Sequence, residues 1–500
     1  MQFNSIHFML FFPAVLAVYF IIPKKIRYVW LLIASYYFYM SWNAKYAILI
    51  AFSTVVTYLC GVLIDQFRQT GTDICRKLSK VTLVLGISSN LLILFMYKYF
   101  DFAIDNINSA LSAFGIGVIE TQFDLLLPVG ISFYTFQALG YVIDVYRNDV
   151  EAEYNPLRYA LFVSFFPQLV AGPIERSGNL MKQLKNAHTI KLWNYERIIK
   201  GISVMMWGFF LKVIIADRAA TIANNVFANY YALGTFELIS GAVFFAIQIY
   251  CDFASYSTIA QGAAQIMGFE LMDNFNTPYF ALSIKEFWRR WHISLSTWFR
   301  DYLYIPLGGN RKGKVRKHIN TMIVFLVSGL WHGANWTYIV WGGLHGFYQI
   351  FGDLTKPFKD KVTKKLNFRT EALSYKFCQM LCTFALTCLA WIFFRADSVN
   401  AAFDYIARMF THINPWALTT GVIYNIGLDR QEMNILIIAI CVLIFVDIMK
   451  RKKNIRFENL ADNQSFWVRG AIIFALLFVV IIFGAYGYSF DAQEFIYFQF

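Results

Sequence analysis

Apolar stretches long enough to cross a hydrocarbon core of about 30 Å recur from one end of this 500-residue chain to the other. Spans are expected near residues 6–22, 28–42, 46–65, 81–97, 125–143, 200–216, 236–253, 319–334, 336–351, 376–394, 434–449 and 467–487. A backbone in lipid must satisfy its own hydrogen bonds, and segments of this length do so as helices. The expected architecture is therefore all-α and polytopic, with about 11–12 transmembrane helices in a single membrane domain over residues 1–500. Composition enters only as a check: 58% of residues are hydrophobic and 15% charged, where a soluble chain carries roughly a quarter charged.

The net charge of +13 would raise the question of nucleic acid in a soluble protein. Here the basic residues crowd into Lys24–Arg27, Arg68–Lys80, Arg147–Lys200, Lys285–Lys317, Lys356–Arg369 and Lys450–Arg456, and all of these loops fall on one side of the span count. The alternate loops are poor in cations: Asp101–Asp124 has none and Asp397–Glu432 has only Arg408 and Arg430. Positive charge is retained on the cytoplasmic face, so membrane lipid and not nucleic acid is the expected partner, and both termini are expected outside. The first apolar run has its basic cluster after it, not before it, which marks a retained span and not a cleaved signal.

One apolar stretch, Leu157–Ala171, has basic sequence on both flanks, and Pro167 and Gly172-Pro173 interrupt its helical hydrogen bonding. A re-entrant hairpin is expected there. The seven cysteines show no zinc-site spacing and read as packing residues, with no metal site expected.

The segment from Asn274 to Gly346 carries the chemistry. On a helical projection, Phe287, Trp288, Trp291, Leu295, Trp298, Phe299 and Tyr302 fall within about 120°, with Lys285, Glu286, Arg289, Arg290, Arg300 and Asp301 outside that arc. This pattern predicts one in-plane helix with its aromatic face at headgroup depth. A plain surface anchor would have the same pattern. His332 shifts the balance, because it lies between Gly329 and Gly333 near the end of an otherwise apolar span, where an ionisable side chain is costly and is by default functional. Neutral imidazole can take a proton from a hydroxyl and return it to a leaving thiolate near neutral pH. A lone buried histidine is nevertheless more often structural, and a transporter, a flippase or the scaffold of an export complex would also place polar groups at this depth.

The motifs RRWHISLSTWFRDYLYIPLGGNR (289–311), GLWHGANWTYIVWGGLHG (329–346), LLLPVGISFYTFQALGYVIDVYR (125–147), FPQLVAGPIER (166–176), FFRAD (393–397) and the terminal FIYFQF (495–500) resemble those of bacterial membrane-bound O-acyltransferases. The resemblance spans essentially the whole chain, and its two signature histidines stand in order, 40 residues apart. It implies a fold of transmembrane, re-entrant and interfacial helices around a central funnel. It also implies transfer of an acetyl or other acyl group from a cytoplasmic thioester, with coenzyme A as one possible carrier, to a hydroxyl. On this resemblance His332 and His292 are the catalytic residues, and His345, Asn335, Trp331 and Ser328 are candidates to line the site. Arg289, Arg290, Arg311 and Lys312 are candidates to hold the donor's phosphates, although retention of positive charge inside explains the same residues without a ligand. No bound cofactor is expected. The location implied is the inner membrane of a bacterium, the acceptor an extracytoplasmic polysaccharide, and the partner an SGNH-type transferase or esterase outside. Asp144, Asp252 and Asp301 read as ion-pair or hydrogen-bond partners of neighbouring helices.

Overall fold

The computed structural model describes residues 1–120, 127–453, 465–486 and 495–496. The beginning of the 125–147 motif, the basic loop beyond 453, Ser489 near the C-terminus, which is expected outside, and residues 497–500 of the terminal motif lie outside the described residues. Among those described, each expected span contains a helix, with bounds that differ by a few residues; the helix of the span expected at 125–143 is Ile131–Arg147. Six helical stretches are long and apolar enough to cross a membrane: Ala44–Thr70, Asp73–Ala113, Tyr195–Ala228, Thr235–Met267, Leu373–Arg395 and Arg430–Lys452. Shorter apolar helices lie at Ile6–Ile21 and Trp467–Phe483. The protein is a multi-pass helical membrane protein. Outward-facing Leu10, Ile48, Leu85, Ile438 and Phe445 are each at least 60% exposed, as side chains are that meet lipid and not water.

The chain forms two compact units. The first comprises residues 1–202 and 260–272. Its helices are joined by buried polar contacts, which lipid-depth packing favours because the alternative is an unsatisfied group in hydrocarbon. The Tyr159 hydroxyl donates to Thr57 Oγ1 at 2.8 Å, Gln137 Nε2 donates to the Phe162 carbonyl at 2.6 Å, and the Phe166 amide donates to Ser35 Oγ at 3.1 Å. The stretch expected to be re-entrant forms a helix of nine residues, Pro156–Ser164, followed by non-helical chain that stays buried as far as Glu175. Nine residues rise only about 14 Å, half of what a crossing needs. Asp144 accepts from Ser177 Oγ at 2.5 Å, the structural role expected of it.

The second unit comprises residues 203–259 and 273–500 and contains the segment that carries the two histidine motifs. Its helices Gly313–His332 and Trp336–Lys365 are packed backbone to backbone. A Cβ on Gly329 would lie 2.2 Å from the Tyr338 carbonyl oxygen, and one on Gly342 would lie 2.2 Å from that of Phe325. Glycine at both positions is what allows this approach. A buried lysine that the sequence does not advertise, Lys212, sits in a π-helical turn, Leu211–Ala216, between Asp217 at 2.9 Å and Asp252 at 2.7 Å. Asp252 also accepts the Ile496 amide at 2.6 Å.

Candidate active site

The aromatic segment is not one helix. It forms Ile284–Arg290 and Ile293–Phe299, with Trp291 extended and His292 in the left-handed region (φ 43°) between them. The cause is a crossing strand of chain. The Asn274 carbonyl takes the Ile293 amide at 3.0 Å, and the Asn276 amide donates to the Arg290 carbonyl at 2.9 Å. These groups would otherwise have closed the helix on itself. A left-handed non-glycine residue costs of order 1–3 kcal/mol and persists only where its surroundings over-determine it.

The arc faces the protein interior and not the headgroups. Phe287, Trp291 and Leu295 are each 1% exposed, and Trp291 packs against Phe275, Phe287 and Trp391 at ring distances of 5.0, 5.4 and 5.1 Å. The expected membrane-surface helix is therefore corrected to a broken helix inside the unit. An apolar arc reports that a face is buried, and either lipid or protein can bury it.

The break aims His292. The Ser294 amide donates to Asn274 Oδ1 at 3.3 Å and its hydroxyl does so at 2.7 Å, while Asn274 Nδ2 donates to Ser257 Oγ at 3.0 Å. These bonds fix which end of the amide is oxygen. His292 Nδ1, 3.2 Å from that oxygen, must therefore donate to it, which leaves the ring lone pair on Nε2. The ring is fully buried, edge-on to Phe253 at 4.7 Å. Burial pushes its pKa down to about 3, so the imidazole is neutral.

His332 is the last residue of the helix Gly313–His332 and is 4% exposed. Its ring centroid lies 6.5 Å from that of His292. Trp331, Trp341 and Phe394 surround it at 5.0, 4.9 and 5.3 Å. Gly333, next in the chain, leaves room for the ring of Tyr338: a Cβ there would meet it at 2.1 Å. His345 joins the same layer through Trp341, whose ring lies 5.1 Å from its own. Trp288 Nε1 donates to His345 Nδ1 at 3.2 Å, so the His345 proton sits on Nε2.

A cavity of about 780 Å³ is lined by Trp288, Phe325 and Ser328, and none of the three histidines, His292, His332 and His345, is among its lining residues. Lys285, Arg289, Arg300 and Lys317 line its outer part, and Trp288, Phe325 and the buried Ser328 line its inner part. Lys317 and Ser328 stand on one helix, eleven residues or about 17 Å apart, and Ser328 lies one turn before His332. Lys317 is ion-paired with Asp353 and Arg300 with Asp301, while the exposed Lys285 adds to the positive field on Asp353 and the exposed Arg289 forms no ion pair among the described residues.

The structure thus brings together His292, His332, His345, Trp331 and Ser328. Asn335 instead caps the next helix, accepting the Thr337 amide at 2.9 Å. Of the four cations proposed for the donor, Arg289 lines the cavity, and Arg290, Arg311 and Lys312 do not. Arg290 is occupied by Glu286 at 2.8 Å and by the Asn276 carbonyl and Thr277 hydroxyl at 3.2 and 3.0 Å. Sequence reasoning missed the roles of Asn274 and Ser257, which no periodicity marks, and read Trp288 only as part of the apolar arc, not as the donor to His345.

The model of the membrane-bound O-acyltransferase family matches residues 149–394. A probable alginate O-acetylase AlgI of Pseudomonas putida is 36% identical, over 99% of each chain. A peptidoglycan O-acetyltransferase of Helicobacter pylori is 35% identical over 76% of this chain and 73% of its own length. More distantly, a teichoic acid D-alanyltransferase of Streptococcus thermophilus is 30% identical over 48% of this chain and 60% of its own. The helical membrane fold, the two histidine motifs and these likenesses agree: the chain belongs to the membrane-bound O-acyltransferase family and is an O-acyltransferase.

Proposed function

We propose that this protein is an acetyltransferase of a bacterial inner membrane. It takes an acetyl group, or a related acyl group, from a thioester on the cytoplasmic side and delivers it to a hydroxyl for modification of an extracytoplasmic polysaccharide. The observation that carries the reading is the cavity that runs from Lys285, Arg289 and Lys317 to Ser328, one helical turn from His332. Its cations suit the phosphates of coenzyme A or of a carrier-protein arm, and its apolar inner wall suits the thioester end. The names of relatives that act on alginate and peptidoglycan support a polysaccharide acceptor.

In this mechanism His332 removes the proton of the acceptor hydroxyl as its oxygen attacks the thioester carbonyl. The tetrahedral intermediate then expels the thiolate, which recovers that proton from His332. His292 orients the donor or stabilises the oxyanion, and an SGNH-type partner outside completes placement on the polymer. A second reading exchanges the two histidines, because the Asn274 hydrogen bond leaves His292 with its lone pair on Nε2, as a base requires. Purified protein incubated with radiolabelled acetyl-CoA and a soluble glycan acceptor tests the activity. Acceptor-dependent release of free thiol that disappears in His332→Ala supports the proposal, and release unchanged in that variant defeats it. Asn274→Asp separates the two readings: it raises the basicity of His292, so a shifted pH–rate profile would make His292 the base.

A further inference from the structure

The turn after the first apolar helix leads into an arginine that the fold buries with no ion pair among the described residues. Arg27 opens the helix Arg27–Met40 and is 7% exposed. Its Nε and Nη1 are buried and have no hydrogen-bond partner among the described residues. The face of Tyr19 lies 5.7 Å from its guanidinium carbon, and the Tyr19 hydroxyl is already given to the Met267 carbonyl. Charges retained on one side of a membrane for topology alone are solvated; this one is not. A buried cation without an acid is costly unless an anion is supplied to it.

The surroundings describe that anion. The helix that Arg27 opens has no side-chain cap and no acid in its first turn, so its amide dipoles add to the positive field. Lys24 and Lys25, both exposed, stand on the turn immediately before it, Lys24–Ile26. That turn packs against Ala187–Thr189. Four residues further on stands Trp193, 83% exposed, whose indole meets Phe20 edge-on at 5.0 Å. Phe20 belongs to the last turn of the apolar helix Ile6–Ile21, where Ile6, Leu10 and Ile21 are 77%, 70% and 83% exposed. An exposed tryptophan beside the end of an outward-facing apolar helix marks headgroup depth.

We infer that Arg27, with Lys24 and Lys25, binds the phosphate of an anionic membrane lipid whose acyl chains lie along the helix Ile6–Ile21. The chemistry recognised is a phosphate bearing net negative charge, and a free phosphate shares it. The apolar helix and Trp193 are what favour the lipid. A zwitterionic headgroup brings its own ammonium and gains less from three cations.

The test uses the full chain in detergent and in nanodiscs. Native mass spectrometry should find phosphatidylglycerol retained in preference to phosphatidylcholine, and phosphatidylglycerol nanodiscs should melt at a higher temperature than phosphatidylcholine ones. Loss of a charge-assisted contact in Arg27→Gln should weaken retention by about tenfold. The Lys24→Gln/Lys25→Gln variant changes exposed residues only, keeps the fold, and should weaken retention severalfold, so it carries the test if Arg27→Gln does not fold. Equal retention of phosphatidylglycerol by the wild type and the lysine variant would overturn the site. Inorganic phosphate added to phosphatidylcholine nanodiscs should leave the melting temperature unchanged. An Arg27-dependent rise with phosphate alone would overturn the lipid assignment in favour of a soluble anion.

Discussion

His292 and His332 face each other at 6.5 Å, and the tautomer of His292 is fixed by hydrogen bonds that run through Asn274 to Ser257 and Ser294. If His332 is the base, His332→Ala should insert normally and lose on the order of 100- to 10,000-fold in acyl transfer. His332→Gln should do no better, since an amide cannot accept the proton. His345→Ala should retain measurable turnover, because its Nδ1 is occupied by Trp288. A second consequence is read in stability. Buried His292 stays neutral down to about pH 3, whereas histidine in the unfolded chain takes a proton near 6.5. Between these values the unfolded state binds more protons, so stability is lost as pH falls through that window. The melting temperature of the wild type should therefore drop more steeply from pH 6.5 to 5 than that of His292→Gln. The two histidines were legible because they stand in family motifs. Asn274 was not, because its role depends on chain crossing back over residues 290–294, which no local pattern records.

Elements were legible where they answered to one solvent. Each of the expected apolar stretches contains helix among the described residues, although the one expected at 125–143 becomes helical only at Ile131, and a backbone at membrane depth has few alternatives. The aromatic arc shows the limit: its burial was readable, but its partner was protein and its helix was broken by hydrogen bonds from Asn274 and Asn276. The pairing of Gly313–His332 with Trp336–Lys365 rests on close contact that adjacent glycines distinguish. A Cβ on Gly342 would meet the Phe325 carbonyl at 2.2 Å, whereas one on Gly343 would meet only Leu326 Cδ2 at 3.6 Å, an ordinary contact. Gly342→Ala should thus separate the helices that carry His332 and His345 and sharply lower the yield of monodisperse protein. Gly343→Ala should purify like the wild type. Equal yields, measured by size-exclusion chromatography in detergent, would mean that the two helices are not in backbone contact.

At the scale of the molecule the question is which face takes the donor. Lys314 and Lys317 stand in the first turns of the helix Gly313–His332, and Lys317 lines the cavity. The side of the membrane on which position 314 lies is therefore the side from which the cavity is entered. On the proposed orientation, in which the basic loops are cytoplasmic, that side is the cytoplasm and the cation-poor loop Asp397–Glu432 lies outside. Both Lys314 and Thr420 are exposed, so each accepts a cysteine without disturbing packing. With the exposed native Cys378, Cys382 and Cys441 and the half-buried Cys75 replaced, an impermeant maleimide should label Thr420→Cys in intact cells and Lys314→Cys only after permeabilisation. Labelling of Lys314→Cys in intact cells would open the cavity to the exterior, where no cytoplasmic thioester can reach it. The acyl-transfer proposal would then fail at its first step, whatever the histidines can do.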